Sequence, residues 1–287
     1  ERPLVHRNRG GMDFFELEAD DSELQQLARL SFVMGLFQRR DDDLRPLPAS
    51  PGFLLHDDFV FGNKYRGKTN ETLTQLLVNT GLHYLGAPAG SDTRLLDPMC
   101  GRGTTLLWAM RYGISCKGIE RDPAALADIR RHLKKWCKLH RQKHRLQEGR
   151  INNDRTRDGS GRFLDFTAGS ASLRVVTGDA ADTRGLMAGQ RFDLIVSDIP
   201  YGVQHQGRQG TRNPLEVIQQ CAAGWRASLK PGGAMVLAFN SNLPRRARLV
   251  AAFESPELEL QAFSIPHRMS ESIVRDVVVF RRLPQVT

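Results

Sequence analysis

Four carboxylates each close a short apolar run: Asp97 after 94–96, Glu120 after 115–119, Asp179 shortly after 173–176, and Asp198 after 192–197. A carboxylate at the end of a strand can take an ammonium, a sulfonium or a pair of hydroxyls from a ligand bound beyond the strand ends. The first lies in LLDPMCGRGTT, residues 95–105, an apolar run that enters a glycine turn. Glycines let the backbone approach a ligand closely and adopt positive φ where needed. A dinucleotide fold would show GxGxxG, with pyrophosphate on the helix N-terminus. Here the turn carries only GxG together with Asp97, which suits a cationic or hydrogen-bond-donating ligand better. Glu120 stands 23 positions after Asp97, where an acid can accept both hydroxyls of a ribose. Asp179 is placed to meet an adenine edge. The fourth carboxylate opens the run Asp198-Ile199-Pro200-Tyr201-Gly202.

The elements needed to hold these groups follow from the periodicity. Strands are expected at 94–96, 115–119, 173–176, 192–197, 234–239 and 276–281, the last with a possible partner at 259–265. Helices are expected at 69–85, 104–111, 123–140 and 214–229. Strands alternating with helices imply an α/β architecture, a Rossmann-like, doubly wound, seven-stranded and mostly parallel sheet. This domain is expected over 59–287. Residues 141–171 are polar, rich in Gly, Ser, Asn and Arg, and read as a basic flexible insertion. Residues 1–58 read as a short helical extension: a helix over 23–38, then a linker over 39–52. Three acidic strand ends at one rim fit S-adenosyl-L-methionine, which carries an ammonium and a sulfonium. Its contacts are expected at Asp97, Pro98, Met99, Cys100, Gly101, Gly103, Thr104 and Thr105. Glu120, Arg121, Asp122, Asp179, Ala180 and Asp198 complete that set.

The charge is unevenly placed. The 287 residues carry 41 Lys and Arg against 32 Asp and Glu, a net charge of +9. Residues 130–162 hold 12 basic and 3 acidic side chains, so the rest of the chain is neutral. Arg130, Arg131, Lys134, Lys135 and Lys138 recur at spacings that form one broad helix face, with Leu133 and Trp136 pointing elsewhere. Such asymmetry suits a polyanion held through its phosphates, with affinity but no sequence information. With 40 % hydrophobic residues, collagenous, low-complexity and wholly disordered readings are excluded. No apolar run approaches the roughly 20 residues of a membrane helix, and the first twenty residues lack the apolar segment of a signal peptide. The four cysteines form no CxxC pair and the eight histidines no metal spacing. Neither a disulfide framework nor a metal is expected, and the expected location is cytoplasmic.

Asp198-Ile199-Pro200-Tyr201 resembles the [DNS]PP[YF] motif of class I methyltransferases that act on planar amino nitrogens. DPMCGRGTT resembles their first cofactor motif. Together they look most like the THUMP-associated and Trm11-like RNA guanine-N2 methyltransferases, over roughly residues 60–283. In that family a segment of the form GxTxxE precedes the glycine turn, and residues 65–71 stand in its place. The resemblance implies that Thr69, Asn70 and Glu71 close over the methionine end of the cofactor, while the local pattern Thr69-Asn70 leading into a helix equally fits a plain N-cap. His267-Arg268-Met269 and Arg275-Asp276-Val277-Val278-Val279 resemble the family's closing hairpin. The resemblance implies methyl transfer to an exocyclic nucleobase amine in RNA, most simply guanine N2 of tRNA rather than rRNA. Asp198 and a carbonyl near Pro200 would accept the amine hydrogens, Tyr201 would stack on the base, and His205 could touch substrate. Some relatives need a small activating subunit. Ile199 departs from the usual proline, and residues 1–60 match no complete THUMP domain. Two other readings remain: an acceptor in DNA adenine or protein glutamine, and a non-catalytic RNA-binding protein of the same fold.

Overall fold

The computed structural model describes residues 3–41, 43–48, 50–65, 68–87, 89–90, 92–151, 161–200 and 213–284, with the side chain of Ser22 aside. The chain forms two compact units, Glu1–Gly52 and Phe53–Thr287. The expected boundary at 58 therefore moves to 52. Phe53 sets its ring edge-on against Trp108 and Tyr112, Leu54 N donates to Arg111 O at 2.8 Å, and Leu55 is buried. This apolar run belongs to the second unit's core.

The first unit corrects the expected helical extension. It holds hairpin β1 (Val5–Arg9) and β2 (Met12–Glu16), helix α1 (Asp21–Leu27), and hairpin β3 (Phe37–Arg40) and β4 (Asp43–Pro46). Gly10 and Gly11 both take positive φ between β1 and β2, as a tight two-residue hairpin turn requires. A reciprocal bond between Asp20 and Glu23 caps α1, in the manner of a capping box. The helix expected over 23–38 stops at Leu27. Beyond it the backbone makes three-residue turn bonds, from Arg29 to Gln26 and from Leu30 to Leu27. Phe37 then enters a strand ladder opposite Pro46. The apolar spacing alone could not register that strand partner, which lies in the stretch expected to be linker.

The second unit contains a ten-stranded sheet and helices on both its faces. Its middle is parallel: β11 (Leu229–Asn240), β10 (Phe192–Asp198), β5 (Arg94–Asp97), β6 (Ser115–Glu120) and β9 (Ala171–Thr177), in that spatial order. On one side β14 (Val274–Arg282) runs antiparallel to β11, with β12 (Leu258–Leu260) and β13 (His267–Arg268) beside it. On the other side β8 (Arg162–Ala168) and β7 (Arg145–Arg150) continue the sheet antiparallel past β9. Here the seven strands expected become ten, and 141–171 is not a flexible insertion throughout. In β8, Leu164, Phe166 and Ala168 are buried while Arg162 and Thr167 face out. That period of two sits inside a stretch whose polar composition hides it. Residues 152–160 lie outside the described part.

Helices α2 (Asp58–Phe61), α3 (Glu71–Leu85), α4 (Thr104–Arg111) and α5 (Pro123–Leu139) supply residues to one apolar cluster, which includes Leu95, Leu194 and Val236. Helices α7 (Pro214–Ser228) and α8 (Arg246–Phe253) supply the other cluster, with Leu96, Ile195 and Leu237; α6 (Thr183–Leu186) lies beside it. Consecutive strand residues thus bury on opposite faces, as in a sheet covered on both sides. No described helix is long and apolar enough to cross a membrane. All four cysteines are buried thiols.

Candidate active site

The parallel strands end at a common rim, and each expected carboxylate stands there. Asp97 is the last residue of β5 and is 2 % exposed. Its Oδ1 accepts from Ser197 Oγ at 2.7 Å and from Met99 N at 3.1 Å. Burial pushes its carboxyl up to about 7, against the bonds from Ser197, Met99 and Thr105 that favour the charged form. Beyond it Pro98 and Met99 turn the chain, and Gly101 and Gly103 take φ of 52° and 81°. A Cβ built on Gly101 would meet nothing within 4 Å, so open space lies beside the turn. Cys100 points inward: its backbone N donates to Ile119 O at 3.0 Å, and burial pushes its thiol well above the ordinary range. Thr104 and Thr105 open α4 and are buried.

Glu120 ends β6 and braces the turn from the side. Its Oε2 accepts from Gly101 N and its Oε1 from Asp122 N, both at 2.8 Å. Each carboxylate oxygen has two lone pairs, so these bonds leave acceptor capacity toward the rim. Asp122 caps α5 by accepting from Ala124 N, and Arg121 is exposed. Asp179 is exposed and accepts from Ala181 N at 2.9 Å, while Ala180 O accepts from Trp225 Nε1.

Asp198 ends β10 next to Asp97, the two strand ends being linked through Ser197. Its Oδ2 accepts from Thr69 Oγ1 at 2.6 Å and from Arg275 Nη2 at 3.1 Å. Burial raises its carboxyl above the usual range, while the Arg275 charge and the bonds from Thr69 and Arg275 pull it back down. Ile199 is buried among the apolar residues under α7 and α8, and its N donates to Ala238 O. A hydrophobic side chain suits that place, which explains the departure from proline. Pro200 is exposed at the rim. Tyr201 and His205 lie outside the described residues.

The 65–71 segment divides its labour differently from the expectation. Among its described residues, only Thr69 reaches the carboxylate pair, through Asp198. Asn70 caps α3, its Oδ1 accepting from Leu73 N. Glu71 pairs with Lys68, whose ammonium also donates to Val60 O and Asn63 O, and Glu71 O accepts from Trp108 Nε1. This part-buried ion pair holds Glu71 in the frame behind the rim. Tyr65 joins the turn instead, its hydroxyl 2.9 Å from Thr104 Oγ1 and its ring under Arg102. Two groups at the rim escape the sequence pattern. Arg275 lies in the 275–279 run of the closing hairpin, and its β14 register opposite Asn240 of β11 brings it over Asp198. Ser197 reads in the sequence only as the last residue of an apolar run. Nothing in local spacing shows either contact, because both cross between strands distant in sequence.

Arg130, Arg131, Lys134, Lys135 and Lys138 are all exposed on α5, with Leu133 and Trp136 buried beneath. Arg130 pairs with Glu148 at 2.8 Å and Arg131 with Asp128; Lys135 lies over the Trp136 ring. Arg130 begins about 12 Å along the helix from Asp122 at 1.5 Å per residue. The basic face therefore begins about 12 Å from the rim, leads away from it along α5, and lies outside the carboxylate cluster.

The strand order, with antiparallel β14 beside five parallel strands and acids along one rim, defines a class I methyltransferase fold whose cofactor is S-adenosyl-L-methionine. The residues present fit that cofactor: three acids face the rim, and Gly101 leaves the adjacent space open. The chain belongs to the RMKL-like methyltransferase domain family, UPF0020, which matches residues 64–259. Among solved structures it is similar to TrmN from Thermus thermophilus, at 17% identity with a TM-score of 0.51. That match covers 98% of this chain and 60% of the TrmN chain, so the chain spans about three fifths of that protein's length. It is also similar to SMU.1697c of Streptococcus mutans, solved in complex with SAH, at 10% identity and a TM-score of 0.46, covering 72% and 97% of the two chains. The rRNA methyltransferase aviRa from Streptomyces viridochromogenes matches at 15% identity and a TM-score of 0.45, over 79% and 91%. No curated protein matches the chain.

Proposed function

We propose that the protein transfers a methyl group from S-adenosyl-L-methionine to an exocyclic amine of a nucleobase in RNA, with guanine N2 of tRNA as the acceptor. The observation that carries this reading is the Asp198 carboxylate, fixed by Thr69 and Arg275 at the strand end adjoining the glycine turn. The bound cofactor supplies an electrophilic methyl group on a sulfonium. Asp97 and the Gly101–Gly103 turn hold its methionine end, Glu120 takes the ribose hydroxyls, and Asp179 with Ala180 meets the adenine edge. An exocyclic amine is a poor nucleophile because its lone pair is delocalised into the ring, so it needs positioning and acceptors for its hydrogens as positive charge develops. Asp198 would accept a hydrogen bond from one N–H and take that proton as the nitrogen gains the methyl group, the methyl–sulfur bond breaking to leave a neutral thioether. The Arg275 charge works against the burial of Asp198 and favours the charged form of its carboxyl. Pro200 stiffens the strand exit, and Tyr201 stacks on a base taken out of its helix. The exposed cations of α5 hold the RNA by its phosphates.

The test is transfer of labelled methyl groups to total RNA, DNA and protein, each offered separately. Label enters RNA in the wild type. Asp198→Ala abolishes transfer and leaves cofactor affinity within a few-fold. Label confined to DNA or protein, or full activity in Asp198→Ala, overturns the proposal.

A further inference from the structure

The opposite edge of the sheet holds a cavity of about 560 Å³. It is formed where β5, β6, β7 and β9 begin, and so lies a strand length from the acidic rim; the six residues of β6 span about 17 Å. Arg94, Lys117, Arg145 and Arg174 line it, with Asp165 as its one acidic group. That carboxylate is already taken by a two-point bond from Arg174, Nε to Oδ1 and Nη2 to Oδ2, both 2.6 Å. Among the described residues, Arg94, Lys117 and Arg145 have no ion pair with any carboxylate. The nearby Asp193 is bound by Lys230 Nζ through both oxygens and by Arg94 N. Three cations without an ion pair thus share one cavity with a single acid, Asp165, which Arg174 already binds at two points.

Lys117 shows the strain of that arrangement. It lies half-buried on the face of β6 that Arg174 shares through the β6–β9 register. Burial holds its ammonium below the usual lysine range, the Arg174 and Arg94 charges adding to the effect and the Asp165 charge opposing it. Like charges are gathered in this way where an anion completes the set, and guanidinium forks match the oxygens of a phosphate.

We propose that this cavity binds a phosphate-bearing ligand, with Lys117 at its base and Arg94 and Arg145 closing on the phosphate oxygens. The phosphate can belong to a free small molecule or to an RNA backbone, and the test separates the two. The site does not depend on the methyl-transfer reading.

The experiment follows acylation of Lys117 by an amine-reactive ester, read by peptide mass spectrometry on the full chain. Inorganic pyrophosphate and a short single-stranded RNA are the two probes, with sodium chloride of equal ionic strength as the control. A bound phosphate slows Lys117 acylation roughly tenfold at ten times the dissociation constant, leaving unchanged the exposed Lys64, which lies on neither the cavity nor α5. Arg94→Gln with Arg145→Gln, both at exposed positions, abolishes the protection at an unchanged thermal midpoint. Protection by pyrophosphate alone assigns a free phosphate ligand, and protection by RNA alone assigns the backbone. Failure of both probes to protect Lys117 in the wild type overturns the proposal, as does equal protection in the double variant. The wild-type result decides the matter even where the variant fails to fold.

Discussion

Replacing Asp97 by Asn removes a charge from the most deeply buried carboxylate of the rim while keeping its shape. The amide oxygen introduced by Asp97→Asn would still accept from Ser197 Oγ and Met99 N, the two bonds that Asp97 Oδ1 makes. Burial raises the carboxyl from 3.8 to about 7, so the folded state holds the proton more tightly than the unfolded chain. An acid raised on folding favours the folded state at low pH, and this advantage falls as pH climbs from about 4 to about 7. The full excursion is on the order of 4 kcal/mol, of which roughly 2–3 kcal/mol lies between pH 5 and pH 8. Urea denaturation followed by fluorescence of the three buried tryptophans, Trp108, Trp136 and Trp225, measures it directly. Asp97→Asn gains roughly 2–3 kcal/mol relative to wild type between pH 5 and pH 8, because every other titrating group is common to both. Saturating S-adenosyl-L-methionine, which offsets the buried charge, stabilises the wild type more at pH 8 than at pH 5. Parallel stability curves for the two proteins would refute the account of Asp97.

Three further outcomes follow from the same geometry. Arg275→Met leaves Asp198 buried without its cation, so the carboxyl titrates higher still; methyl transfer falls roughly ten- to hundredfold near neutral pH and recovers as pH rises, which a pH–rate profile shows. An unchanged profile would contradict the role given to Arg275. Gly118→Ala places a Cβ 2.6 Å from Leu106 Cδ1 and 2.7 Å from Cys100 Sγ; the overpacking costs about 1–3 kcal/mol and weakens cofactor binding by shifting the turn, seen by denaturation and calorimetry. Replacing Arg130, Arg131, Lys134 and Lys138 by Gln lowers the salt slope of RNA binding by about 3 with no loss of cofactor affinity; an unaltered slope would leave α5 an ordinary solvated face.

Much of the rim is legible in the sequence. Asp97, Glu120 and Asp198 stand at the ends of β5, β6 and β10 because short buried strands show as bounded apolar runs. Where two roles competed for a residue, local structure took Asn70 for the α3 cap and Asp122 for the α5 cap. The Glu71 side chain went to a part-buried pair with Lys68, three positions before it. The strands β7 and β8 stayed hidden because the stretch around them is polar and basic, and the outermost strand, β7, buries none of its residues fully. The hairpins of the first unit stayed hidden for a related reason. Residues 23–38 carry helical apolar spacing, yet the helix gives way to turns after Leu27, and Phe37 and Gln38 pair with Pro46 and Arg45. Arg275 reaches Asp198 across 77 positions, a contact that belongs to the sheet order and to no local pattern.

Nucleoside mass spectrometry of tRNA incubated with the protein and S-adenosyl-L-methionine tests the central claim most directly. The account predicts a gain of N2-methylguanosine with wild type and none with Asp198→Ala. No new methylated nucleoside in RNA, with methyl groups found in protein or DNA instead, would contradict it.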